Sequence, residues 1–274
     1  MGYARSILPP APRHPAVLSR LSRASALALA CWLSARTSRA IDPFEIQVYD
    51  GTANAPGVPG LELHLNRVVI GLRTAEPPEL PPHNQTHLTL EPSFGVLPWW
   101  ELGGYFQSTV RADGQLDYSG VKLRSKFVVP EGTFSNLRLG LNLELSALPE
   151  RYEAGRWGVE VRPIIAWENA LWLLAVNPIL GLDLSDPGAG PDLEPAAMAK
   201  LKVAEVFAIG FEYYASLGTL GHIDAMSDQP HYLYETIDVL AVPHFELNMG
   251  LGEGLTKASN DLTAKLILGY AWED

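Results

Sequence analysis

The feature that most constrains this 274-residue chain is an alternation of apolar and polar residues with a period of two. In the stretch 137–145 every odd position is leucine, and the even positions are arginine, glycine, asparagine and glutamate. Successive side chains of a β-strand point to opposite faces of a sheet, so this stretch predicts a strand with two chemically different faces. The same alternation recurs in 61–66, 121–127, 245–249 and 262–266. These patterns predict an all-β protein.

The spacing of the strands favours a closed barrel. Most predicted strands are near the ~9–11 residues that cross a bilayer at a tilt, and long polar loops alternate with tight turns. A soluble β-sandwich also alternates, so it remains the competing fold. We predict an antiparallel up-and-down transmembrane β-barrel of about 12 strands. The predicted strands are 60–71, 85–96, 99–110, 118–129, 136–148, 156–167, 170–184, 192–203, 206–217, 231–241, 243–252 and 261–271.

Aromatic residues fall mainly near the predicted strand ends. This placement is typical of the aromatic girdles at the two membrane interfaces, although the core of a soluble β-protein is an alternative location. The residues concerned are Trp99, Trp100, Trp157, Trp167, Trp172, Tyr213, Tyr214, Tyr232, Tyr234, Tyr270 and Trp272.

Residues 1–40 are predicted to be a cleaved signal peptide. They contain six arginines and no acidic residue, an apolar core at 24–33, and small residues at Ser38 and Ala40, so cleavage would leave Ile41 first. A lipoprotein-type cleavage box at 28–31 and an unprocessed N-terminus are the alternatives. Cys31 is the only cysteine, so the mature chain would contain no thiol. A chain without thiols suits an oxidising compartment.

The rest of the chain divides into an N-terminal arm, 41–59, and the barrel, 60–274. The arm is rich in Gly, Pro and Asn after Asp50, with a possible short strand at Phe44–Tyr49, and we expect it near the periplasmic mouth or inside the lumen. Past Ala40 there are 14 basic and 31 acidic residues, a balance that repels phosphate and excludes nucleic acid as a partner. No later segment has the ~18 continuous apolar residues of a transmembrane helix.

If the leucine-rich face meets lipid, the alternate positions line the lumen. They carry both signs of charge in comparable number, which predicts either a ladder of ion pairs or a path for a small polar solute. In the second case the row Lys122, Arg124, Lys126 would attract anions. The lumen-lining candidates are Glu62, His64, Glu91, Glu101, Lys122, Arg124, Lys126, Arg138, Glu144, Glu160, Arg162, Lys200, Lys202, Glu212, Asp238, Glu246 and Lys265.

No catalytic, cofactor or metal site is predicted. His64, His87, Ser93 and Ser108 offer parts of a hydrolytic site, but no Gly-x-Ser-x-Gly motif is present. Two groups of possible metal ligands are better explained as solvated loop residues. They are His83 with His87, and His222, Asp224, Asp228 and His231.

Several short runs of the sequence resemble a family of Gram-negative outer-membrane barrels. The runs 193–203, 208–214 and Leu217-Gly218 are similar to a strand pair of the family labelled "MetA-pathway of phenol degradation", and 45–51 and 60–64 are similar to its exported members. The resemblance spans most of 42–271 and implies a barrel that takes up small organic compounds. Barrels of this kind usually end on an aromatic residue that the assembly machinery reads, whereas this chain ends on Glu273 and Asp274.

Together these observations predict an exported outer-membrane barrel that is not an enzyme and binds no cofactor. Its expected activity is passive or facilitated passage of small solutes, organic compounds among them. Its expected partners are outer-membrane lipid, the barrel-assembly machinery and a small-molecule solute. Two alternatives remain open: a filled structural barrel without conductance, and a lipid-acting outer-membrane enzyme.

Overall fold

The computed structural model describes residues 41–153, 155–204 and 206–273, and their strands form one antiparallel sheet. The signal peptide predicted for 1–40 lies outside the described residues. The long strands are β1 (Pro59–Ile70), β2 (Thr86–Leu97), β3 (Trp100–Val110), β4 (Leu116–Val128), β5 (Leu137–Ala147), β6 (Trp157–Glu168), β7 (Trp172–Asp183), β8 (Asp192–Val203), β9 (Phe207–Ala215), β12 (His231–Val239), β13 (Phe245–Gly254) and β14 (Leu262–Ala271). Two-residue strands, β10 (Gly218–Thr219) and β11 (His222–Ile223), lie in the loop after β9.

The sheet closes on itself. Strand β1 pairs with β14 from Gly60 opposite Ala271 to Ile70 opposite Leu262, and each remaining long strand pairs with two neighbours. Because every long strand is hydrogen-bonded on both sides, the barrel has no free edge. The prediction of a closed antiparallel barrel of about twelve strands is therefore confirmed.

The strand bounds agree with the alternation in the sequence, since each long strand begins and ends within two residues of its predicted position. The short strands β10 and β11 were not predicted; Thr219 pairs with Asp192 and so extends the sheet beyond β8. The described part of the chain has one short 3-10 turn, Pro187–Ala189, and no helix long and apolar enough to cross a membrane.

The two ends of the barrel differ. The loop end carries the connections 71–85, 111–115, 148–156, 184–191, 216–230 and 255–261. The opposite end, here the turn end, carries 98–99, 129–136, 169–171, 204–206 and 240–244, together with the start of β1 and the end of β14. Long loops at one end and mostly short turns at the other are typical of outer-membrane barrels.

The two faces of each strand follow the alternation. In β5, Leu137, Leu141 and Leu145 are exposed on the outside, whereas Asn142 and Glu144 are buried inside. An exposed leucine face is stable only against an apolar solvent, so this band is the surface that lipid would cover.

The prediction that aromatic residues form membrane girdles is wrong for part of its set. At the turn end Trp99, Trp100 and Phe127 stack with ring centroids 6.2–6.4 Å apart. In contrast, Tyr214, Tyr232 and Tyr234 are at most 5% exposed and face inward, so their assignment to a membrane girdle was wrong. The reason is that the lumen contains an apolar region, described below, against which these rings pack.

Candidate functional site

The lumen is occupied by the chain's own N-terminal segment. Residues 41–58, here called the plug, enter from the turn end and have no regular secondary structure. Phe44, Ile46, Val48 and Tyr49 of the plug are each at most 6% exposed. The short strand considered for Phe44–Tyr49 is therefore wrong, because this backbone pairs with side chains of the barrel wall and not with a neighbouring strand.

Side chains from several strands satisfy the backbone of the plug. Buried amide and carbonyl groups must find hydrogen-bond partners, and polar side chains of the wall supply them here. Asn177 makes two of these bonds, since its Oδ1 accepts from the N–H of Tyr49 at 2.7 Å and its Nδ2 donates to the carbonyl of Tyr49 at 3.0 Å. Others are donated by Asn66 to Pro43, by Thr89 to Phe44 and by Lys265 to Ile46, at 2.9–3.0 Å.

One side of the plug packs against an apolar region of the wall. Ile46 and Val48 join a buried cluster whose wall members come from β6, β7, β8, β9 and β12. Burying a side chain of this size contributes roughly 1.5–3 kcal/mol. The wall members are Ala166, Ala175, Ile179, Ala196, Met198, Tyr214, Tyr232 and Tyr234.

The opposite side of the plug meets charged groups. The Tyr49 hydroxyl donates to Oε1 of Glu45 at 2.7 Å, and the guanidinium of Arg162 lies 4.5 Å from the centre of the Tyr49 ring. Arg162 also donates to Oε1 of Glu45 at 3.4 Å. Alternate plug residues thus face opposite walls, as in an extended chain. The apolar plug residues face the apolar wall, and the polar ones face the charged wall.

Glu45 is the buried acid of the plug. Loss of water around it raises the pKa of its carboxyl to about 8, and the negative charge of Glu144 adds to this rise. The cations Arg162 and Lys122 act in the opposite direction. The docked plug therefore binds a proton more tightly at Glu45 than a plug in water would.

The structure places the predicted lumen residues on the inner face, where ion pairs connect most of them. Buried charges persist when they are paired and hydrogen-bonded. The pairs are Lys122 with Asp42 and Glu144, Arg124 with Glu91 and Glu101, Lys126 with Glu101, Arg138 with Asp50 and Glu168, Arg162 with Glu45 and Glu160, Lys200 with Glu212 and Asp238, Lys202 with Glu168, and Lys265 with Glu212.

The row Lys122, Arg124, Lys126 is consequently not a free cationic stripe. Each of the three cations lies within 3.2 Å of at least one carboxylate oxygen. Two of the carboxylates nearest Lys122, those of Asp42 and Glu45, belong to the plug. The row holds the plug in place and has no uncompensated charge with which to attract anions.

A cavity of about 490 Å³ remains between the plug and the wall at the turn end. Plug residues 47–52 form one side of it. The wall contributes acids and bases, among them Glu62, Arg138, Lys202 and Glu246. A volume of this size lies within the range of small-molecule sites, and its mixed lining suits a polar or amphipathic solute.

The hypothesis of a hydrolytic site finds no support in the geometry. Nε2 of His64 lies 3.1 Å from Oε2 of Glu91, Nδ1 of His87 lies 3.2 Å from Oγ1 of Thr109, and Oγ of Ser93 accepts from Asn54. In the described ranges, neither histidine is hydrogen-bonded to a serine. The arrangement of nucleophile and base that acyl transfer needs is therefore not assembled at these residues.

The two groups of loop residues considered as metal ligands do not converge. His83 bonds to Gly71 and Asn84, and His231 bonds to Tyr213 and Gln229. Within the described part of the chain, one cluster of three metal-ligating groups is found, and it consists of Glu62, His64 and Glu91. All three are among the lumen-lining residues predicted from the sequence, but only the structure shows that they converge.

Asn177 was not predicted as a functional residue. Its signal in the sequence is a polar residue at an inward position of β7, directly before Pro178, in a strand that is otherwise apolar up to Asp183. The alternation Glu45-Ile46-Gln47-Val48-Tyr49 is compatible with a short strand in the sequence, but in the structure it lets the plug face two different walls.

These features define a class of protein: a twelve-stranded antiparallel barrel with an apolar outer band, a polar lumen and an internal plug. No protein-family model and no curated protein matches the sequence. Solved structures do match the fold. The COG4313 outer membrane channel from Pseudomonas putida F1 is similar with a TM-score of 0.55 and 13% identity, over 83% of this chain and 100% of that one.

The KdgM porin is similar with a TM-score of 0.52 and 9% identity, over 78% of this chain and 99% of that chain. A second structure of the KdgM porin, in complex with disordered oligogalacturonate, matches with a TM-score of 0.50 and 8% identity. At these identities the likeness shows the fold, which is that of outer-membrane β-barrel channels.

Proposed function

We propose that this protein is an outer-membrane channel for small solutes that is closed at rest by its own N-terminal plug. The observation that carries the proposal is the way the plug is bound. Hydrogen bonds and ion pairs from β1, β2, β4, β5, β6, β7 and β14 hold residues 42–50, and water would replace these contacts once the plug has left the lumen. Displacement of the plug would open a lumen lined by both signs of charge.

The comparisons support the barrel, and the lumen chemistry supports the solute class. Both signs of charge and several tyrosines line the lumen, so a small polar or amphipathic compound fits better than a purely apolar one. Uptake of small organic compounds, the role implied by the resemblance to the "MetA-pathway of phenol degradation" family, belongs to this proposal. Export by a cleaved signal peptide, insertion by the barrel-assembly machinery and a non-enzymatic role are further parts of it.

A reversible cross-link between plug and wall tests the proposal. Nδ2 of Asn54, in the plug, donates to Oγ of Ser93, in β2, at 2.8 Å, and residues 41–274 contain no cysteine. The double variant Asn54→Cys/Ser93→Cys places two cysteines side by side, and free-thiol titration of the oxidised sample shows whether they have formed the disulfide. We expect single-channel openings in planar bilayers to be rare when this variant is oxidised and to return when it is reduced. Each single-cysteine variant is the matched control and should be insensitive to reductant.

Two results would count against the proposal. Equal conductance of the oxidised and reduced double variant would show that solutes pass without movement of the plug. Absence of openings in the unaltered chain and in the reduced variant alike would favour the filled structural barrel. Heat-modifiable electrophoretic mobility of each sample establishes beforehand that the barrel has folded.

A further inference from the structure

Three side chains that can bind a metal ion converge on the inner wall. Glu62 and His64 are two residues apart on β1, so both face the lumen, and Glu91 lies directly opposite Glu62 on β2. Nε2 of His64 is 3.1 Å from Oε2 of Glu91 and 3.5 Å from Oε2 of Glu62. The ring of His64 is fully buried, as is the side chain of Glu91.

These distances fit a shared cation. Two ligand atoms bound to Zn²⁺ at about 2.0–2.1 Å in tetrahedral geometry lie roughly 3.3 Å from each other. The two distances from Nε2 of His64 lie on either side of this value. One imidazole nitrogen with two carboxylate oxygens is a ligand set that Zn²⁺ accepts, and a fourth position would remain for water.

The carboxylates around the cluster favour the binding of a cation. Glu62 pairs in register with Glu91 on one side and with Gly269 on the other, and Gly269 in turn faces Glu246. The side chains of Glu62 and Glu246 both lie against the position that a Cβ on Gly269 would take. Three carboxylates thus share one inward row, and like charges on neighbouring strands repel each other.

The arginine and lysine side chains near the cluster already pair with other carboxylates. Arg124 lies 2.8 Å from Glu91 but also 2.6 Å from Glu101, and Lys126 lies 2.9 Å from Glu101. Among the described residues no lysine or arginine lies within ion-pair distance of Glu62, whose contact of this kind is His64. A divalent ion at the cluster would compensate the charges of Glu62 and Glu91.

A route to the cluster exists. Glu62 lines the 490 Å³ cavity at the turn end, together with Arg124 and Glu246. Its side chain is 22% exposed, so a hydrated ion can reach one of the three ligands before it loses its water.

We propose that Glu62, His64 and Glu91 form a binding site for a divalent transition-metal ion, best matched by Zn²⁺, which is loaded through the cavity at the turn end. The site does not depend on conduction, because its ligands belong to β1 and β2 and not to the plug.

The test measures metal on the folded barrel. The mature chain, made without a polyhistidine tag and folded in detergent, is stripped of metal, titrated with Zn²⁺ by calorimetry and analysed for zinc after gel filtration. We expect one tightly bound ion per chain. His64→Gln and Glu62→Gln should each weaken binding by at least about 100-fold, since the loss of a ligand exceeds the 10–100-fold effect of outer-shell partners. His87→Gln is the matched control, because His87 is also a buried lumen histidine, and it should bind zinc normally.

A second measurement needs no variant. Cobalt(II) added to the unaltered chain should give the intense visible absorption of a four-coordinate site, and zinc should displace it. A weak spectrum like that of hydrated cobalt, or zinc binding that His64→Gln leaves unchanged, would overturn the proposal. Absence of zinc binding by the unaltered chain would also overturn it, and His64 would then serve as a hydrogen-bond partner of Glu91 within the wall.

Discussion

Asn177 pairs with the backbone of Tyr49 on both of its polar edges, as a neighbouring β-strand would. One side chain of β7 therefore supplies the donor and the acceptor that the extended plug lacks. Both residues are buried, so water cannot replace these bonds while the plug is docked.

Replacement of Asn177 should loosen the plug. Asn177→Leu keeps the approximate volume but removes both hydrogen bonds and leaves two buried backbone groups without partners, at about 1–3 kcal/mol. We expect the open fraction in planar bilayers to rise about 5-fold or more, since 1.4 kcal/mol is a factor of ten. Asn142→Leu is the control, because the amide of Asn142 bonds to Glu144 in the wall and not to the plug. Equal open fractions for Asn177→Leu and the unaltered chain would contradict this role.

Gly95 allows the plug to lie against β2. The N–H of Gly57 donates to the carbonyl of Gly95 at 2.7 Å, and the N–H of Gly95 donates to Val58 at 3.0 Å. A Cβ at Gly95 would lie 2.1 Å from the carbonyl oxygen of Ala55, so Gly95→Ala forces the plug away from the wall. We expect chymotrypsin to cut after Tyr49 faster in Gly95→Ala than in the unaltered barrel.

The control for Gly95 is Gly188→Ala, because a Cβ at Gly188 would meet no backbone atom within 4 Å. Cleavage after Tyr49 at the same rate in all three proteins would show that the contact between Gly95 and Ala55 does not hold the plug.

The docked state of the plug should become less stable as the pH rises. Burial raises the pKa of Glu45 to about 8 in the docked plug, against an ordinary value near 4.5 once the plug is in water. The docked state therefore binds the proton more tightly, and its stabilisation is complete below about pH 4.5 and is lost as the pH rises through about 8. The groups that face Glu45 are Glu91, Lys122, Glu144 and Arg162 on the wall and Tyr49 in the plug.

We expect the open fraction to increase from pH 5 to pH 9 in the unaltered chain and to stay flat in Glu45→Gln, measured by conductance at constant ionic strength. Asp50→Asn, which changes an acid of the plug that pairs with Arg138 near the turn end, should retain the pH dependence. A pH profile that Glu45→Gln does not alter would assign the effect to another group.

Glu235 is an exposed carboxylate on the outer face of β12, between Phe211 of β9 and Leu251 of β13. A charge on the lipid-facing surface destabilises a barrel, less for an acid than for Lys or Arg. Glu235→Leu should therefore stabilise the barrel in lipid vesicles by about 1–2 kcal/mol, measured by urea unfolding. The converse change on the same face, Leu233→Glu, should destabilise it. A loss of stability in Glu235→Leu would show that the carboxylate has a structural partner.

The alternation of residues along the chain determined the strands and their two faces, and strand length and loop spacing favoured a barrel over a sandwich. In 137–145 the leucines had to share one face and Asn142 and Glu144 the other, since a strand has a side-chain period of two. Strand bounds within two residues and the inward position of most charged residues follow from this local rule. The inward position of Tyr232 and Tyr234 does not follow from it. Alternation tells which residues share a face of the strand, but not whether that face meets lipid or the plug.

Only the tertiary structure decided what fills the lumen and which charges meet. Asn177 and Tyr49 are 128 residues apart, and Glu62 and Glu91 become neighbours only through the register of β1 with β2. Contacts of this kind depend on closure of the sheet and on the path of the plug, which are set by the sum of many weak interactions around the barrel. Local pattern specifies the wall, whereas long-range packing specifies what the wall encloses.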